Sequence, residues 1–326
     1  MADRTVTLRL DAGVSLPGED VLQVVAEVRI PRRLAPGAPL AIVCLPGGAM
    51  SRRYYDLMAK DDPADASFSF SRQMAARGLI TILIDYLGVG ESDRPADGYA
   101  LTPELLTAVN ARAVDRIVAD LKAGRLAEGQ GPLPDLRTLG LGHSMGAMFT
   151  ILQQAEYRQH SGIVLLGFST RGLVDYLIPE ARELSTDPVA VRRELVRLAR
   201  ATFVEPYPVI KPSPQANSIY AGANAEVRGA QAVKSAMDRL LPVPAFMSML
   251  PGNVAPEAAQ IEVPLFLGIG ELDMVGPSHQ VPAAFPASKD LNLHILPKTG
   301  HSHFLFPARA GLFERVANWT QAVAAH

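Results

Sequence analysis
From Leu40 onward the apolar positions of the chain gather into short runs, and the stretches between the runs carry apolar residues every three or four positions. The runs are Leu40 to Leu45, Leu79 to Ile84, Thr138 to Leu141, Ile163 to Leu166, Pro264 to Ile269 and Leu291 to Leu296. Mostly apolar runs of this length predict strands covered on both faces, as in a parallel sheet between helical layers. Helices are predicted at Phe70 to Arg77, Pro103 to Lys122, Gly146 to Gln159 and Arg309 to Val323. In the second of these Leu106, Val109, Ala113, Ile117 and Leu121 recur at helical spacing, with Thr102 placed as N-cap. Upstream, Thr5 to Leu10 and Leu22 to Ile30 read as strands, the second alternating through Val24, Ala26 and Val28, which suits an antiparallel edge. The pattern predicts a doubly wound, mostly parallel α/β sheet.

The alternation breaks between about Thr170 and Ala258. Charged helical patterns at Asp187 to Arg200 and Ala225 to Leu241 flank the proline-rich stretch Glu205 to Pro214. This segment reads as a helical cap, so the expected division is a core of residues 1–169 and 259–326 and an insertion of residues 170–258.

The chain has 326 residues, of which 48% are hydrophobic and 20% charged, enough for a large core. A formal net charge of -2 gives no footprint for nucleic acid or for an anionic membrane. The opening residues Met1 to Thr7 lack the basic and apolar regions of a secretory signal, and no run of about 18 uncharged apolar residues occurs, so a cytoplasmic location is the expectation. Cys44 is the only cysteine, which excludes an internal disulfide and a cysteine metal cluster, and it reads as a small hydrophobe in a strand. The histidines show no metal-ligand spacing. Neither metal nor cofactor is expected, the partner is a small-molecule substrate, and a homodimer stays open.

Candidate chemistry begins at Gly142-His143-Ser144-Met145-Gly146, a G-x-S-x-G motif between a predicted strand and a predicted helix. A serine lifted to the tip of such a turn needs a strained backbone and neighbours that can pass close by, hence the glycines. The pentapeptide arises by chance in about one chain in ten of this length, so it needs support. Support comes from chain order. Asp273 follows the run ending near Gly270, and His301, in Gly300-His301-Ser302-His303, follows the last strand, giving Ser, Asp, His in turn.

The elbow, Asp273, His301 and the insertion together resemble the α/β-hydrolase family over essentially the whole chain. The resemblance implies a sheet of that type with a cap. It also makes Asp85 to Asp93, with Gly88 and Gly90, similar to a structural glycine-rich turn after the family's fourth strand. One departure is Leu45-Pro46-Gly47-Gly48-Ala49-Met50, where the family often has His-Gly and a backbone amide that completes an oxyanion hole. The Met145 amide is one expected donor and Gly48 the other, with Ala49 as an alternative.

A serine hydroxyl needs a base to take its proton as it attacks a carbonyl, and His301 is the candidate. His303 competes for the role, but the Gly300-His301 pair matches the family pattern. Asp273 would accept the other imidazole N–H, with Glu271 and Asp290 as alternatives. His143 and His294 read as packing residues. Met50, Met247 and Met249, with His143 and His303, are candidates for a substrate pocket. Arg52, Arg53, Tyr54 and Tyr55 read as a solvated mouth or a site for an acidic group. The expected activity is hydrolysis of a carboxylic ester of a small to medium lipophilic substrate through an acyl-enzyme on Ser144. Thioesterase, lactonase and carbon-carbon hydrolase chemistry, or ligand binding without turnover, stay open.

Overall fold
Eight strands form one sheet: β1 (Arg4–Asp11), β2 (Gln23–Ile30), β3 (Leu40–Leu45), β4 (Ile80–Ile84), β5 (Arg137–His143), β6 (Ile163–Leu166), β7 (Leu265–Gly270) and β8 (Leu291–Leu296). Their spatial order is β1-β2-β4-β3-β5-β6-β7-β8. The pairs β1–β2 and β2–β4 are antiparallel, and all others are parallel. This is the predicted doubly wound, mostly parallel sheet. The computed structural model describes residues 3–324 apart from Pro63, residues 211–221 and Ala223, so Lys211 to Pro214 of the expected proline-rich stretch lie outside the described residues.

The apolar runs became strands because both faces of the inner sheet are covered. In β3, Ala41, Val43 and Leu45 join the core under the helices α2 (Pro103–Lys122) and α3 (Met145–Tyr157). Leu40, Ile42 and Cys44 face the other core, under α1 (Phe70–Ala75) and a C-terminal helix, Arg309–Ala324. Each side chain fully withdrawn from water contributes roughly 1.5–3 kcal/mol, which fixes the register. Burial also pushes the Cys44 thiol well above its ordinary pKa, consistent with a packing role. At the edge, β1 alternates half-buried and exposed residues, as a strand covered on one face does. Among the described residues no helix is long and apolar enough to cross a membrane.

The two crossovers run in opposite directions across the sheet. The α1 crossover places β4 on one side of β3, and α2 returns to place β5 on the other. A crevice outside the carboxyl ends of β3 and β5 therefore lies at the switch point, where α/β sheets bind ligands.

Among the described residues between β6 and β7 the helices are α4 (Pro179–Leu184), α5 (Pro188–Arg193), α6 (Leu195–Thr202), α7 (Val227–Ala232), α8 (Pro242–Met249) and α9 (Ala255–Ala258), and Arg309–Ala324 is α10. Two expectations change here. The pattern from Asp187 to Arg200 divides at Glu194, which leaves helical geometry at φ -92° and ψ 5°. The pattern from Ala225 to Leu241 holds a helix only to Ala232 and a 3-10 turn to Ser235. Beyond it the backbone pairs elsewhere: Ser51 N donates to Ala236 O at 2.8 Å and Asp238 N to Ala49 O at 2.9 Å. Tertiary hydrogen bonding to the loop after β3 has overridden local helical spacing. Helix α8 lies beyond the expected helical patterns; Pro242 and Pro244 stand in its first turn, where proline is tolerated.

Candidate active site
Ser144 stands between the end of β5 and the start of α3 with φ 55° and ψ -121°, a backbone conformation strained for a residue with a Cβ. Its amide donates to Leu166 O at 2.8 Å, which ties the turn to β6. The glycine at 146 is required by a close approach, because a Cβ there would collide with the carbonyl of Leu45 at the end of β3. The serine side chain is thus held at the mouth of the switch-point crevice.

His301 Nε2 lies 2.9 Å from Ser144 Oγ, and His301 Nδ1 lies 2.8 Å from Asp273 Oδ1. Burial alone would raise the Asp273 carboxyl, but the imidazoles of His301 and His303 outweigh it and hold the group well below the usual carboxylate range. An ionised carboxylate only accepts, so Nδ1 of His301 carries the proton and Nε2 is free to accept from the Ser144 hydroxyl. The three candidates named from chain order therefore meet in one hydrogen-bonded line. Of the alternatives, Glu271 accepts from Lys298 N at 2.7 Å. Asp290 precedes β8, at the opposite end of the strands from Ser144. His294 sits within β8, with its ring 6.3 Å from that of Phe266.

His143 and His303 lie behind this line. His143 Nε2 is 2.8 Å from His301 O, so it donates to that carbonyl, and burial, followed by the neighbouring His301 and His303, holds its imidazole well below its ordinary pKa. His303 Nε2 is 3.0 Å from Asp273 Oδ2.

The loop after β3 is held from several sides. Tyr55 donates to Leu45 O and Tyr86 to Pro46 O, each at 2.8 Å. Gly48 faces the elbow helix: a Cβ built on it would lie 3.9 Å from Met145 Sδ and 3.0 Å from Leu240 Cδ1. The amides of Gly48 and Met145 find no acceptor among the described residues. The reading of residues 52–55 as a solvated mouth or anion site is corrected for three of the four. Arg52 is buried and paired with Asp85 and Glu91, while Tyr54 and Tyr55 are fully buried. Only Arg53 is exposed, and it too pairs with Glu91, at 2.9 Å. Asp85 is the first residue of the glycine-rich turn, and it also accepts the Arg52 and Glu91 amides, so the turn braces this loop.

A cavity of about 30 Å³ is lined by Ser144 and His301 together with Phe168, Ser169, Leu173, Ser248, Met274 and Val275. The expected pocket residues Met50, His143, Met247, Met249 and His303 are not in its walls. Met50 and Met247 are buried, Met50 bridging to Met237, and the two histidines are buried behind the Ser144–His301 line. Met145, expected for its amide, does line the cavity.

Sequence reasoning missed Gly167, which has φ 60°. A Cβ there would lie 3.1 Å from Asp273 Oδ2 and 3.2 Å from His301 Nδ1, so a larger residue would press on the pair, and the positive φ favours glycine as well. A glycine directly after the apolar run Ile163 to Leu166 was the available signal. Asp238 was missed because its partners, Gly90 N at 2.5 Å and Arg94 at 3.1 Å, are far away in the chain. Among the described residues, no group of three or more His, Cys, Asp or Glu is arranged to hold a metal ion.

The model of the Alpha/beta hydrolase family matches residues 42–310. The chain belongs to this family. No curated protein matches this alpha/beta hydrolase in sequence. Similar solved structures include a thermophilic esterase from Thermogutta terrifontis, 16% identical with a TM-score of 0.60 over 97% of this chain and 99% of that one. A monoacylglycerol lipase from Paleococcus ferrophilus is 17% identical with a TM-score of 0.58, over 93% of this chain and 100% of that one. A bromoperoxidase from Bacillus anthracis is 12% identical with a TM-score of 0.58, over 97% and 99%. At these identities the likeness is one of fold, and this alpha/beta hydrolase shares its sheet with proteins of several activities.

Proposed function
We propose that the protein is a serine hydrolase that cleaves a carboxylic ester of a small to medium lipophilic substrate. The observation that carries this reading is the line Ser144 Oγ, His301, Asp273, with both hydrogen bonds within 2.9 Å. Ser144 Oγ attacks the carbonyl carbon as His301 Nε2 takes its proton. The oxyanion forms against the amides of Met145 and Gly48. Collapse expels the alcohol, which leaves with the proton held on His301, and Asp273 stabilises the imidazolium in between. A water activated by His301 then releases the acid and restores Ser144.

The cavity beside Ser144 is walled in part by Met145, Phe168, Leu173, Met274 and Val275 and, among the described residues, by no Asp, Glu, Lys or Arg, which favours a lipophilic group over a charged one. Residues 170–258 act as a cap in this reading, since Leu173 and Ser248 from that segment wall the cavity. The esterase and lipase relatives share the fold alone, so the weight rests on the hydrogen-bonded line. Thioesters and lactones use the same groups and belong in the same substrate panel.

The test is intact-mass analysis after treatment with a fluorophosphonate. Stoichiometric labelling of wild type and none of Ser144→Ala is the expected result. Absence of labelling in both, with ligand bound but not consumed, would move the reading to a binding protein of hydrolase fold.

A further inference from the structure
Asp273 receives two imidazoles, one on each oxygen: His301 on Oδ1 at 2.8 Å and His303 on Oδ2 at 3.0 Å. We propose that His303 is a positioning residue that fixes the rotation of the Asp273 carboxylate by donating a proton from Nε2, and that turnover depends on this second hydrogen bond. The proposal rests on the serine-hydrolase reading and goes beyond it by assigning a fourth residue to the line.

The argument begins with the torsion of the aspartate. The terminal torsion of an Asp side chain joins sp³ to sp² carbon and has a broad, roughly two-fold profile, so a carboxylate held at one oxygen can swing. The side chains of Asp273 and His303 are both 0% exposed, so water does not hold the second oxygen. No other described residue donates to Oδ2, although Gly167 packs close to it. A buried ionised oxygen without a donor is costly, and the carboxylate would escape that cost by turning or by taking up a proton. Either change weakens its hold on the imidazolium of His301.

His303 is itself tightly placed. It opens a 3-10 turn, His303–Leu305, and its amide donates to His301 O at 3.0 Å, the same carbonyl that receives His143 Nε2. Its ring stands edge-on to His143 with centroids 5.7 Å apart. Nδ1 of His303 has no hydrogen-bond partner among the described residues. Since the carboxylate only accepts, the proton must sit on Nε2. One loop therefore carries both the residue proposed as base and the donor that orients the base's own partner.

Two measurements test this. In wild type, long-range proton–nitrogen NMR of the imidazoles should show His303 protonated on Nε2; protonation on Nδ1 alone overturns the proposal. In steady-state hydrolysis of p-nitrophenyl acetate, His303→Phe keeps a ring but removes the donor, whereas His303→Gln places an amide N–H near the position of Nε2. We expect His303→Phe to lower kcat about 10- to 100-fold with KM within about twofold, because a displaced catalytic group costs rate more than binding. His303→Gln should recover most of the loss. A kcat for His303→Phe within twofold of wild type, or equal losses in both variants, overturns the proposal. Should His303→Phe fail to fold, the wild-type tautomer decides. Wild type that takes no fluorophosphonate on Ser144 overturns the underlying reading and the proposal with it. Labelled wild type beside an unaffected His303→Phe overturns the proposal alone.

Discussion

Met50 and Met237 pair as an isolated antiparallel bridge, so that a stretch following helix α7 is stitched to the loop that carries Gly47 and Gly48. The next residue, Asp238, extends the stitch by donating its amide to Ala49 O and accepting from Gly90 N and Arg94. The segment between β6 and β7 therefore has a structural hold on the loop proposed to bind the oxyanion.

Removing the carboxylate tests that hold. Asp238→Ala leaves the Gly90 amide without its acceptor and should cost about 1–3 kcal/mol of stability. Urea unfolding of Asp238→Ala against wild type measures it. Asp238→Asn keeps an acceptor oxygen and should lose less. Equal stability in all three proteins would mean that the stitch is carried by backbone alone.

His301→Ala and Asp273→Asn separate the proposed base from its proposed orienter. Loss of the base should lower ester turnover by several orders of magnitude, and Asp273→Asn should lower kcat by about 10⁴ with the fold intact. Stopped assays at high enzyme concentration, with circular dichroism as a control for folding, read both. Substantial activity in His301→Ala would reassign the base.

Ser144 stores backbone strain that a glycine would relieve. Strain of this kind costs about 1–3 kcal/mol, against which glycine loses about 0.5–1 kcal/mol through greater freedom when unfolded. Ser144→Gly should therefore be more stable than Ser144→Ala by up to about 2 kcal/mol, with both inactive. Thermal unfolding of the two variants side by side decides it.

Gly167→Ala should act on the line from the other side. Its Cβ would press on Asp273 and His301 at just over 3 Å, in a backbone conformation that disfavours alanine. The pair must give by a few tenths of an ångström, less than the shift of about 1 Å that can cost about 100-fold, so kcat should fall by about 10-fold while substrate binding changes little. Unchanged kcat would show that the pair has room to give.

Stability should fall as pH drops below about 6.5, the unfolded value of a histidine. His160 is buried beside Thr138, and burial lowers its pKa to about 4. Below 6.5 the unfolded chain takes up a proton that the folded one refuses, so the neutral-pH stability is lost between about 6.5 and 4. The shift of about 2.5 units corresponds to about 3 kcal/mol. His143, also lowered by burial, adds loss in the same direction over a window that also opens near 6.5. Asp273 contributes only below the ordinary carboxylate range, since its folded pKa is depressed and its stabilisation is lost as pH falls through that lower value. Urea unfolding from pH 7.5 to 4.5 should show the slope, and His160→Asn should flatten it.

The sequence by itself determined the sheet and named Ser144, Asp273 and His301 as candidates, with His303, Glu271 and Asp290 still beside them; the hydrogen-bonded line came from the folded chain. Apolar runs report burial on both faces, a local property of each strand, and the elbow glycines report a turn that few other residues can make. The order of the three groups along the chain then follows from where the strands end. What only the tertiary structure decided were pairings between distant segments. Arg52 looked free because Asp85 and Glu91 lie more than thirty positions away, and they bury it. The helix expected to run to Leu241 stops early because Ala236 and Asp238 find backbone partners at Ser51 and Ala49, and hydrogen bonds made across the fold leave no local periodicity to read. Met50 and Met247, expected near the substrate, went to the core for a like reason. An apolar side chain is satisfied by any dry surface, so its identity does not say which one, whereas the carboxylate of Asp273, once buried, accepts only from donors that the folded chain can bring to it.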